Sequence, residues 1–546
     1  MHLKTDFLKR VFVFFAAVLI SSLRSDGFAL PLAFDSEIIR YQEPEFLTFE
    51  ELKMLSENPE PDGKLGEKLG KFWVTPIISN EAYYRGVRPN RPHDFNLGSC
   101  LRIASWNIEK SYHMDEAIKV FQSPETLIRM MDETKVEKGS ALYWKMLKQR
   151  DRLAKADVLI LQEMDIGHKR SGYINAAAEL AKALDMNYTY GAQQLEIDPV
   201  YLGTEKLQFL KGGVDQEMTD YFATDPARYK GVFGSAVLSR YPIKHVEVFQ
   251  LRNKAYDWYS GEKPKVALAE TARRLGTEVL FKNRMVREMK VGGRIYFRVD
   301  LEVPDLPEKT LTIINIHLEI KCLPKARKTQ MEEILGYIKD IHHPVVVMGD
   351  FNAAPTDISP TSVERIVKRS AKDPKTWVNG AVTFLTPYGP LNVVRGFSNI
   401  TKNFQDPLAK NIPVVAPNDL KPMFDMIENF RFADGGAFDF RGDQGRSMNS
   451  KHQPLSNSNE RDFKGFKTTW QVKRPIGPWL GKLRLDWVFV KGYLKDPKDK
   501  SGSYRFAPHF GETLEELNTH LEVAVSDHHP NVVDLPFEEP RINDRT

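Results

Sequence analysis

The sequence predicts an α/β fold. Runs of branched apolar residues, typical of buried strands, recur along the chain and end abruptly at polar residues. Segments with helical spacing lie between some of these runs. Two alternating segments, residues 294–303 and 310–320, flank a short Pro-containing loop and predict a β-hairpin. With 546 residues, of which 42% are hydrophobic, the chain has enough core material for a large two-sheet fold.

The first half of the organised sequence alternates strands and helices. Apolar and polar residues alternate from Cys100 to Lys110 and predict a strand, and the run VLIL within Ala156 to Asp165 predicts a buried one. The segment between them is expected to be mostly helical from Ser123 to Lys155. Asn175 to Leu184 is an Ala-rich predicted helix, and Gly231 to Ile243 is a predicted strand with a Tyr-Pro turn.

The second half repeats these patterns after the hairpin. A helix is predicted after Pro324, because apolar residues there share one face, namely Met331, Ile334, Leu335, Ile338 and Ile341. The chain then returns to a buried strand in VVVMGDFNAAP, Val345 to Pro355. Further strands are predicted at Leu483 to Gly492 and Val525 to Leu535.

The charge balance restricts the function only weakly. Lys and Arg number 77 and Asp and Glu number 73, which gives a net charge of +4. A dedicated nucleic-acid-binding protein usually has a stronger basic excess or a basic stripe, so this balance weakens, without excluding, a DNA or RNA substrate. The composition does exclude a disordered chain.

The N-terminus has the pattern of a secretory signal peptide. Three basic residues precede the apolar stretch Val11 to Leu23, which is shorter than the about 20 residues of a membrane-spanning helix. Small residues before Leu30 predict cleavage at that point. We therefore expect residues 1–29 to be removed and the protein to be secreted or periplasmic. An uncleaved membrane anchor is the alternative.

The remaining chain divides into an extension, a main domain and a tail. Residues 30–98 are rich in Pro, Glu and Asn and have no strong period, which is compatible with an extension packed on the main domain or with a flexible spacer. Residues 99–537 carry the organised pattern. Within them, residues 356–482 are polar and rich in Gly, Pro and Asn, typical of a loop-rich insertion. Residues 538–546 are a short tail.

The sequence contains two cysteines, Cys100 and Cys322. They are compatible with one disulfide in an exported protein, but their spacing does not show whether they pair. Neither belongs to a CxxC pair, so neither a thiolate zinc site nor a redox motif is expected.

Polar residues lie at the ends of six predicted strands, namely Asn107 with Glu109, Glu163, His317, Asp350 with Asn352, Asp486, and Asp527 with His528. Alternation places Asp350 and Asn352 on the same side of the chain, so an acid that can accept a proton stands beside an amide that can orient a target. A turn explains any single case equally well, because Asp and Asn bond their own backbone. Recurrence at several strand ends favours a binding site at one edge of the sheets.

These strand ends belong to motifs that occur in the order of the endonuclease/exonuclease/phosphatase superfamily, namely SWNIE, LQE, GSAVLSRYPI, NIHLE, GDFNAAP, RLDWVFV and SDHHP. The chain resembles this superfamily from about residue 100 to residue 536. The resemblance implies a four-layer α/β sandwich, in which two mostly antiparallel sheets pack face to face with helices outside. It also implies a divalent-metal-dependent hydrolase of phosphodiesters or phosphomonoesters.

The resemblance further implies the metal ligands. Glu163 resembles the principal ligand, with Asn107 and Glu109 beside it, and Asp527 is available for a second metal position. Carboxylate and amide oxygens suit Mg²⁺ or Mn²⁺, which usually retain waters and bind through few protein ligands. Mg²⁺ or Mn²⁺ is therefore the expected cofactor.

The resemblance also implies catalytic roles. Asp350 resembles the residue that aligns or deprotonates the attacking water, and Asn352 would orient that water or hold a phosphate oxygen. His528 with Asp486 resembles the family's dyad at the scissile phosphate, where the carboxylate favours the charged imidazole. His317 resembles the second histidine of the deoxyribonuclease and sphingomyelinase branches, as a phosphate contact or leaving-group acid.

Two positions depart from the family pattern. Ser235 stands where many members have Asn, which leaves a substrate contact there in doubt. His317 stands where the AP-endonuclease branch has a tyrosine, which disfavours abasic-site repair.

The sequence thus predicts a secreted, metal-dependent phosphoric-ester hydrolase in which water attacks phosphorus in line. The substrate is left open between nucleic acid, phospholipid and a small phosphoester. A catalytically silent binding protein on the same scaffold is the alternative function. No stable protein partner is expected, and the protein is expected to be a monomer.

Overall fold

The computed structural model describes residues 38–208, 213–263, 287–353, 419–439 and 458–538, with short gaps in the last range at 463–464, 477–479, 495, 497, 499–503 and 508. The predicted signal peptide, most of the predicted 356–482 insertion and nearly all of the tail lie outside the described residues.

The strands are β1 Tyr41–Gln42, β2 Ile77–Ser79, β3 His93–Asp94, β4 Gly98–Asn107, β5 Val158–Ile166, β6 Asn187–Glu196, β7 Val232–Ser239, β8 Ile243–Gln250, β9 Lys290–Gly292, β10 Ile295–Glu302, β11 Thr310–His317, β12 Val345–Asp350, β13 Phe438–Asp439, β14 Arg461–Asp462, β15 Gly465–Phe466, β16 Trp470–Ile476, β17 Leu480–Leu483, β18 Asp486–Lys491, β19 Tyr493–Leu494, β20 Tyr504–Arg505, β21 Phe510–Thr513 and β22 Asn531–Pro536.

The α-helices are α1 Phe49–Glu57, α2 Gly63–Val74, α3 Glu81–Tyr84, α4 Met114–Gln122, α5 Pro124–Met130, α6 Ala141–Ala154, α7 Ala176–Leu184, α8 Gln216–Phe222, α9 Pro324–Ile338, α10 Lys421–Asn429 and α11 Glu515–Thr519. No helix among these described residues is both long and apolar enough to cross a membrane.

Two large sheets contain most of these strands. The first has the order β1-β2-β6-β7-β5-β4-β22-β21, with β3 paired to β4 and β9 paired to β6. The second has the order β13-β18-β12-β11-β10-β8. Only β4 with β5 and β11 with β12 are parallel pairs in these two sheets, as far as the described residues extend. The prediction of two mostly antiparallel sheets is confirmed.

Three apolar cores separate the layers, because alternate side chains of a strand point to opposite faces of its sheet. Ile103 and Val346 lie in the core between the two sheets. Val347 lies on the opposite face of its strand, in the core beneath α9 and α10. Leu161 lies in the core between the first sheet and the helices on its outer face. The order of layers is therefore helices, sheet, sheet, helices, which confirms the predicted four-layer α/β sandwich.

Several predicted elements are confirmed with altered bounds. The hairpin is β10 with β11, which pair antiparallel, and β11 ends at His317 rather than continuing to Ile320. The predicted helix after Pro324 is α9, and its predicted apolar face is buried. The segment 123–155 is mostly helical, as predicted, and consists of two helices, α5 and α6, separated by residues 131–140.

Part of the segment 30–98 belongs to the first sheet. β2 pairs with β6 from Ile77 to Ser79, and α1 and α2 contribute Leu52, Leu55 and Phe72 to the core outside that sheet. These two helices were not predicted from the sequence.

The two cysteines are buried free thiols and do not form a disulfide. The thiol of Cys100 faces the carbonyl oxygen of Gly98, and that of Cys322 donates to the carbonyl oxygen of Glu319 at 3.1 Å. Burial raises the pKa of Cys100 to about 12, so this thiol is unreactive near neutral pH.

Candidate active site

The predicted site residues meet at one edge of the two sheets. β11 and β12 are parallel and in a register that pairs His317 with Asp350, and antiparallel pairing places the start of β18, Asp486, opposite Asp350. Asn107 ends β4 in the first sheet and its side chain contacts Asp350 across the gap between the sheets. Both sheets therefore contribute to a single cluster.

Asp350 lies at the centre of this cluster and is buried. Its Oδ2 accepts a hydrogen bond from the Asn107 amide at 3.1 Å, and its Oδ1 accepts one from the backbone N–H of Asn352 at 2.7 Å. The Nε2 atoms of His317 and His528 each lie 3.9 Å from Asp350 Oδ2. Two histidines and an amide thus face the same carboxylate oxygen.

Burial above all, together with the negative charge of Asp486, raises the pKa of Asp350 to about 7, although the positive charge of His528 opposes the shift. A carboxyl group with such a pKa interconverts between its acid and its base near neutral pH. This is the property that general base catalysis requires.

His528 is held by a carboxylate and by its own backbone. Its Nδ1 is 2.9 Å from Asp486 Oδ2, its backbone N–H donates to Ser526 Oγ at 3.0 Å, and its carbonyl oxygen accepts from the Trp106 indole at 3.0 Å. Burial alone would lower the pKa of His528, but the carboxylates around it, Asp486 above all, raise the pKa well above its usual value. The ring is therefore a charged donor whose Nε2 is directed toward the cluster.

His317 differs from His528 in charge. Burial, followed by the positive charges of Arg294, His528 and Lys290, lowers the pKa of His317 well below its usual value. Its Nε2 lies 3.7 Å from Glu163 Oε1. Of the two predicted roles, a phosphate contact by a neutral N–H fits this environment better than a protonated leaving-group acid.

Glu163 is positioned by an irregularity in β5. Its φ is 60°, in the left-handed region, and the pairing of β5 with β7 shifts register between Leu161 and Met164. Such bulges redirect a side chain, and unusual backbone conformations concentrate at functional sites. The Lys110 backbone N–H donates to Glu163 Oε2 at 3.1 Å, and Ser111 Oγ donates to its carbonyl oxygen. With 22% of its side chain exposed, Glu163 is accessible from solvent.

The chemistry of the oxygen donors fits a hard divalent cation. Glu163 offers an accessible carboxylate, and Asn107 offers an amide oxygen that also accepts the backbone N–H of Glu109 at 3.1 Å. Asp527 is next to His528, and its Oδ2 accepts from the Trp470 indole at 2.8 Å. No group of three or more His, Cys, Asp or Glu side chains in metal-binding proximity occurs among the described residues. Mg²⁺ commonly binds through only one or two protein carboxylates and retains waters.

Asn352 has a mostly structural environment. Its φ is 47°, its amide group donates to the Leu318 carbonyl oxygen at 3.0 Å, and its own carbonyl oxygen accepts from Arg327. The predicted role in orienting water or holding phosphate stays a prediction.

Three supporting residues were not predicted. Arg327 is buried in α9 and holds the carbonyl oxygens of Asn352 and Cys322. Asn315 accepts from the Gln162 amide at 2.8 Å and donates to two backbone carbonyl oxygens of the first sheet, which joins the sheets beneath the site. Gly349 has a φ of 141°, and a Cβ there would lie 2.1 Å from the Ile316 carbonyl oxygen. Only Gly349 was signalled in the sequence, by its place at the end of the apolar run.

A family model places the chain among known proteins. The model of the endonuclease/exonuclease/phosphatase family matches residues 104–528, and the chain belongs to this family. Members of this family are hydrolytic enzymes that act on phosphoesters. The resemblance seen in the sequence is therefore confirmed. No curated protein sequence gives a significant match.

Solved structures of the same family are similar to this chain at low identity. An endonuclease/exonuclease/phosphatase from Beutenbergia cavernae DSM 12333 is 15% identical, with a TM-score of 0.35, over 80% of this chain and 71% of the other. The human Nocturnin catalytic domain is 12% identical, with a TM-score of 0.32, over 82% and 98%. An AP endonuclease from Archaeoglobus fulgidus is 13% identical, with a TM-score of 0.32, over 79% and 98%.

Proposed function

We propose that the protein is an exported, divalent-metal-dependent phosphoester hydrolase in which water attacks phosphorus directly. The observation that carries this proposal is the convergence of a carboxyl group of pKa about 7, Asp350, with a charged histidine 3.9 Å away, His528. Export rests on the N-terminal sequence pattern. Phosphodiesters of nucleic acids or of phospholipids, and small phosphoesters, are all substrates of suitable chemistry.

Asp350 is the base in the proposed reaction. Ionised Asp350 takes a proton from water as the new oxygen–phosphorus bond forms, and the bond to the leaving oxygen breaks. The amide of Asn107 and the backbone N–H of Asn352 fix the carboxylate, so that a proton-accepting oxygen stays in place. Because this geometry exists before substrate binds, little reorganisation is needed.

His528 stabilises negative charge in this scheme. Its Nε2–H donates to a phosphate oxygen on which charge develops, and Asp486 keeps the ring charged and oriented through Nδ1. Glu163 and Asn107 would hold the cation, which neutralises phosphate charge when bound.

Removal and replacement of metal tests the proposal. Hydrolysis of bis(4-nitrophenyl) phosphate by the purified protein should be lost in EDTA and restored by Mg²⁺ or Mn²⁺. In Glu163→Gln, which removes the accessible carboxylate, we expect the Mg²⁺ concentration for half-maximal activity to rise by at least about ten-fold.

Glu179→Gln is the matched control, because Glu179 is exposed on α7 and this helix contributes no residue to the site. It should behave as the unmodified protein does. Activity that persists in EDTA, or equal Mg²⁺ dependence in both variants, would contradict the metal assignment. Absence of hydrolysis with any tested phosphoester would favour a binding protein instead.

A further inference from the structure

A cavity lies outside the catalytic cluster. Its volume is about 340 Å³, near the lower end of the range of small-molecule pockets, about 300–1,000 Å³. Five aromatic residues line it: Tyr112, Tyr201, Tyr221, Phe222 and Tyr229. None of them belongs to the predicted catalytic or metal-binding set.

The cavity is adjacent to the candidate metal ligand. Lys110 connects the two, because its backbone N–H donates to Glu163 Oε2 at 3.1 Å and its ammonium group pairs with Glu288, which lines the cavity. Tyr112 follows two residues later and also lines the cavity. A ligand in the cavity can therefore be part of a molecule whose phosphate lies at Glu163.

The two cationic side chains of the lining, Arg170 and Lys169, already have hydrogen-bond partners within the protein. Arg170 binds Asp165 through Nε and Nη2, at 2.7 and 2.9 Å, and Glu196 through Nη1. Lys169 donates to three backbone carbonyl oxygens, those of residues 220, 221 and 223. Because these donors are used within the protein, the cavity is poorly suited to bind a phosphate group itself.

Three polar atoms of the lining lack a hydrogen-bond partner among the described residues. They are the Nε2 atom of His168, which is buried, and the hydroxyls of Tyr112 and Tyr201, which are half-buried residues. His168 is only 2% exposed, and the nearest carboxylate oxygen lies 3.8 Å from its Nε2. A buried polar atom such as His168 Nε2 is costly unless a ligand satisfies it.

We propose that this cavity is a subsite for the nucleobase of a nucleotide-type phosphoester. A flat heterocycle packs against aromatic rings and has donors and acceptors on its edge for the phenol hydroxyls and the imidazole. The proposal rests on the proposed function and selects nucleotides among its substrate classes.

Two chemical groups of phospholipids, a quaternary ammonium group and an acyl chain, fit the cavity less well. A quaternary ammonium group suits aromatic cages, but it makes no hydrogen bonds and would leave His168 Nε2 without a partner. An acyl chain would leave the polar atoms of the lining without partners.

Binding of nucleosides tests the subsite without catalysis. Adenosine, guanosine, cytidine, uridine and choline are titrated separately into the purified protein in EDTA by isothermal calorimetry. We expect at least one nucleoside to bind and choline not to bind. Tyr112→Phe and Tyr201→Phe each remove one hydroxyl and should raise the Kd for that nucleoside by about three- to ten-fold. Tyr143→Phe, in α6 and outside the lining, is the control and should bind as the unmodified protein does.

Kinetics distinguish failure of this subsite from failure of the proposed function. The double variant Tyr112→Phe/Tyr201→Phe should raise KM for the 4-nitrophenyl ester of a nucleoside monophosphate and leave hydrolysis of bis(4-nitrophenyl) phosphate unchanged. Hydrolysis of both esters without nucleoside binding would overturn the subsite and retain the proposed function. Nucleoside binding without any hydrolysis would overturn the proposed function and retain the subsite. Tighter binding of choline than of every nucleoside would overturn the subsite.

Discussion

Replacement of His528 by alanine is expected to lower kcat for phosphoester hydrolysis by about 10²–10⁴-fold. The reason is that His528 is the charged donor of the cluster, with Nε2 3.9 Å from Asp350 Oδ2 and Nδ1 2.9 Å from Asp486. Asp486→Asn should give a smaller loss, because the ring stays in place but its charge is less well stabilised. Steady-state kinetics with bis(4-nitrophenyl) phosphate measures both effects.

His520→Ala is the control for this prediction. His520 is half-buried at the end of α11, where it contacts Thr519 and the Glu516 carbonyl oxygen, and it is not part of the site. A His528→Ala variant that is folded, by thermal unfolding, and as active as His520→Ala would contradict the assigned role.

The second large effect is on stability. Asp534→Ala is expected to reduce the free energy of unfolding by about 3–5 kcal/mol, because it leaves a buried guanidinium without its partner. Asp534 accepts from Arg102 Nε at 2.6 Å and from Arg102 Nη2 at 2.9 Å, and it also accepts from Arg152. Arg102 and Asp534 are cross-strand neighbours of β4 and β22, and their side chains are 8% and 2% exposed.

Glu81→Ala provides the comparison, since it breaks the exposed pair of Arg40 and Glu81, whose side chains are 66% and 38% exposed. Exposed pairs contribute far less to stability than buried ones, because water screens their charges. Urea unfolding of both variants measures the difference. An Asp534→Ala variant no less stable than Glu81→Ala would show that the buried pair is not needed to join these strands.

Much of the fold could be predicted from period-two patterns. Val346 and Val347 occupy different cores because neighbouring side chains of a strand point to opposite faces, and both positions are apolar because both faces are covered. Asn107, His317 and Asp350 could be predicted as site residues because each ends such a strand. Their meeting in one cluster could not be derived from the strands alone, since it depends on sheet pairing between distant segments. The family resemblance supplied that information.

Other features were missed for identifiable reasons. The sequence around Thr48 does carry a helix signal, since Thr48 and Glu51 form a reciprocal capping box at the start of α1. Arg327 could not be singled out, because its role depends on the tertiary contact of α9 with residues 322 and 352. The aromatic cavity likewise draws residues from distant parts of the chain, from Tyr112 to Glu288, and no local pattern marks it.

The proposed mechanism depends on Asp350 as the base of a phosphoester hydrolase. The most direct measurement is kcat for bis(4-nitrophenyl) phosphate, with Mg²⁺ present, in the unmodified protein and in Asp350→Asn. This substitution keeps the shape of the side chain and removes its ability to accept a proton. We predict a fall in kcat of about 10²–10⁴-fold. Equal kcat in the two proteins, with Asp350→Asn folded, would contradict the role of Asp350 as the base.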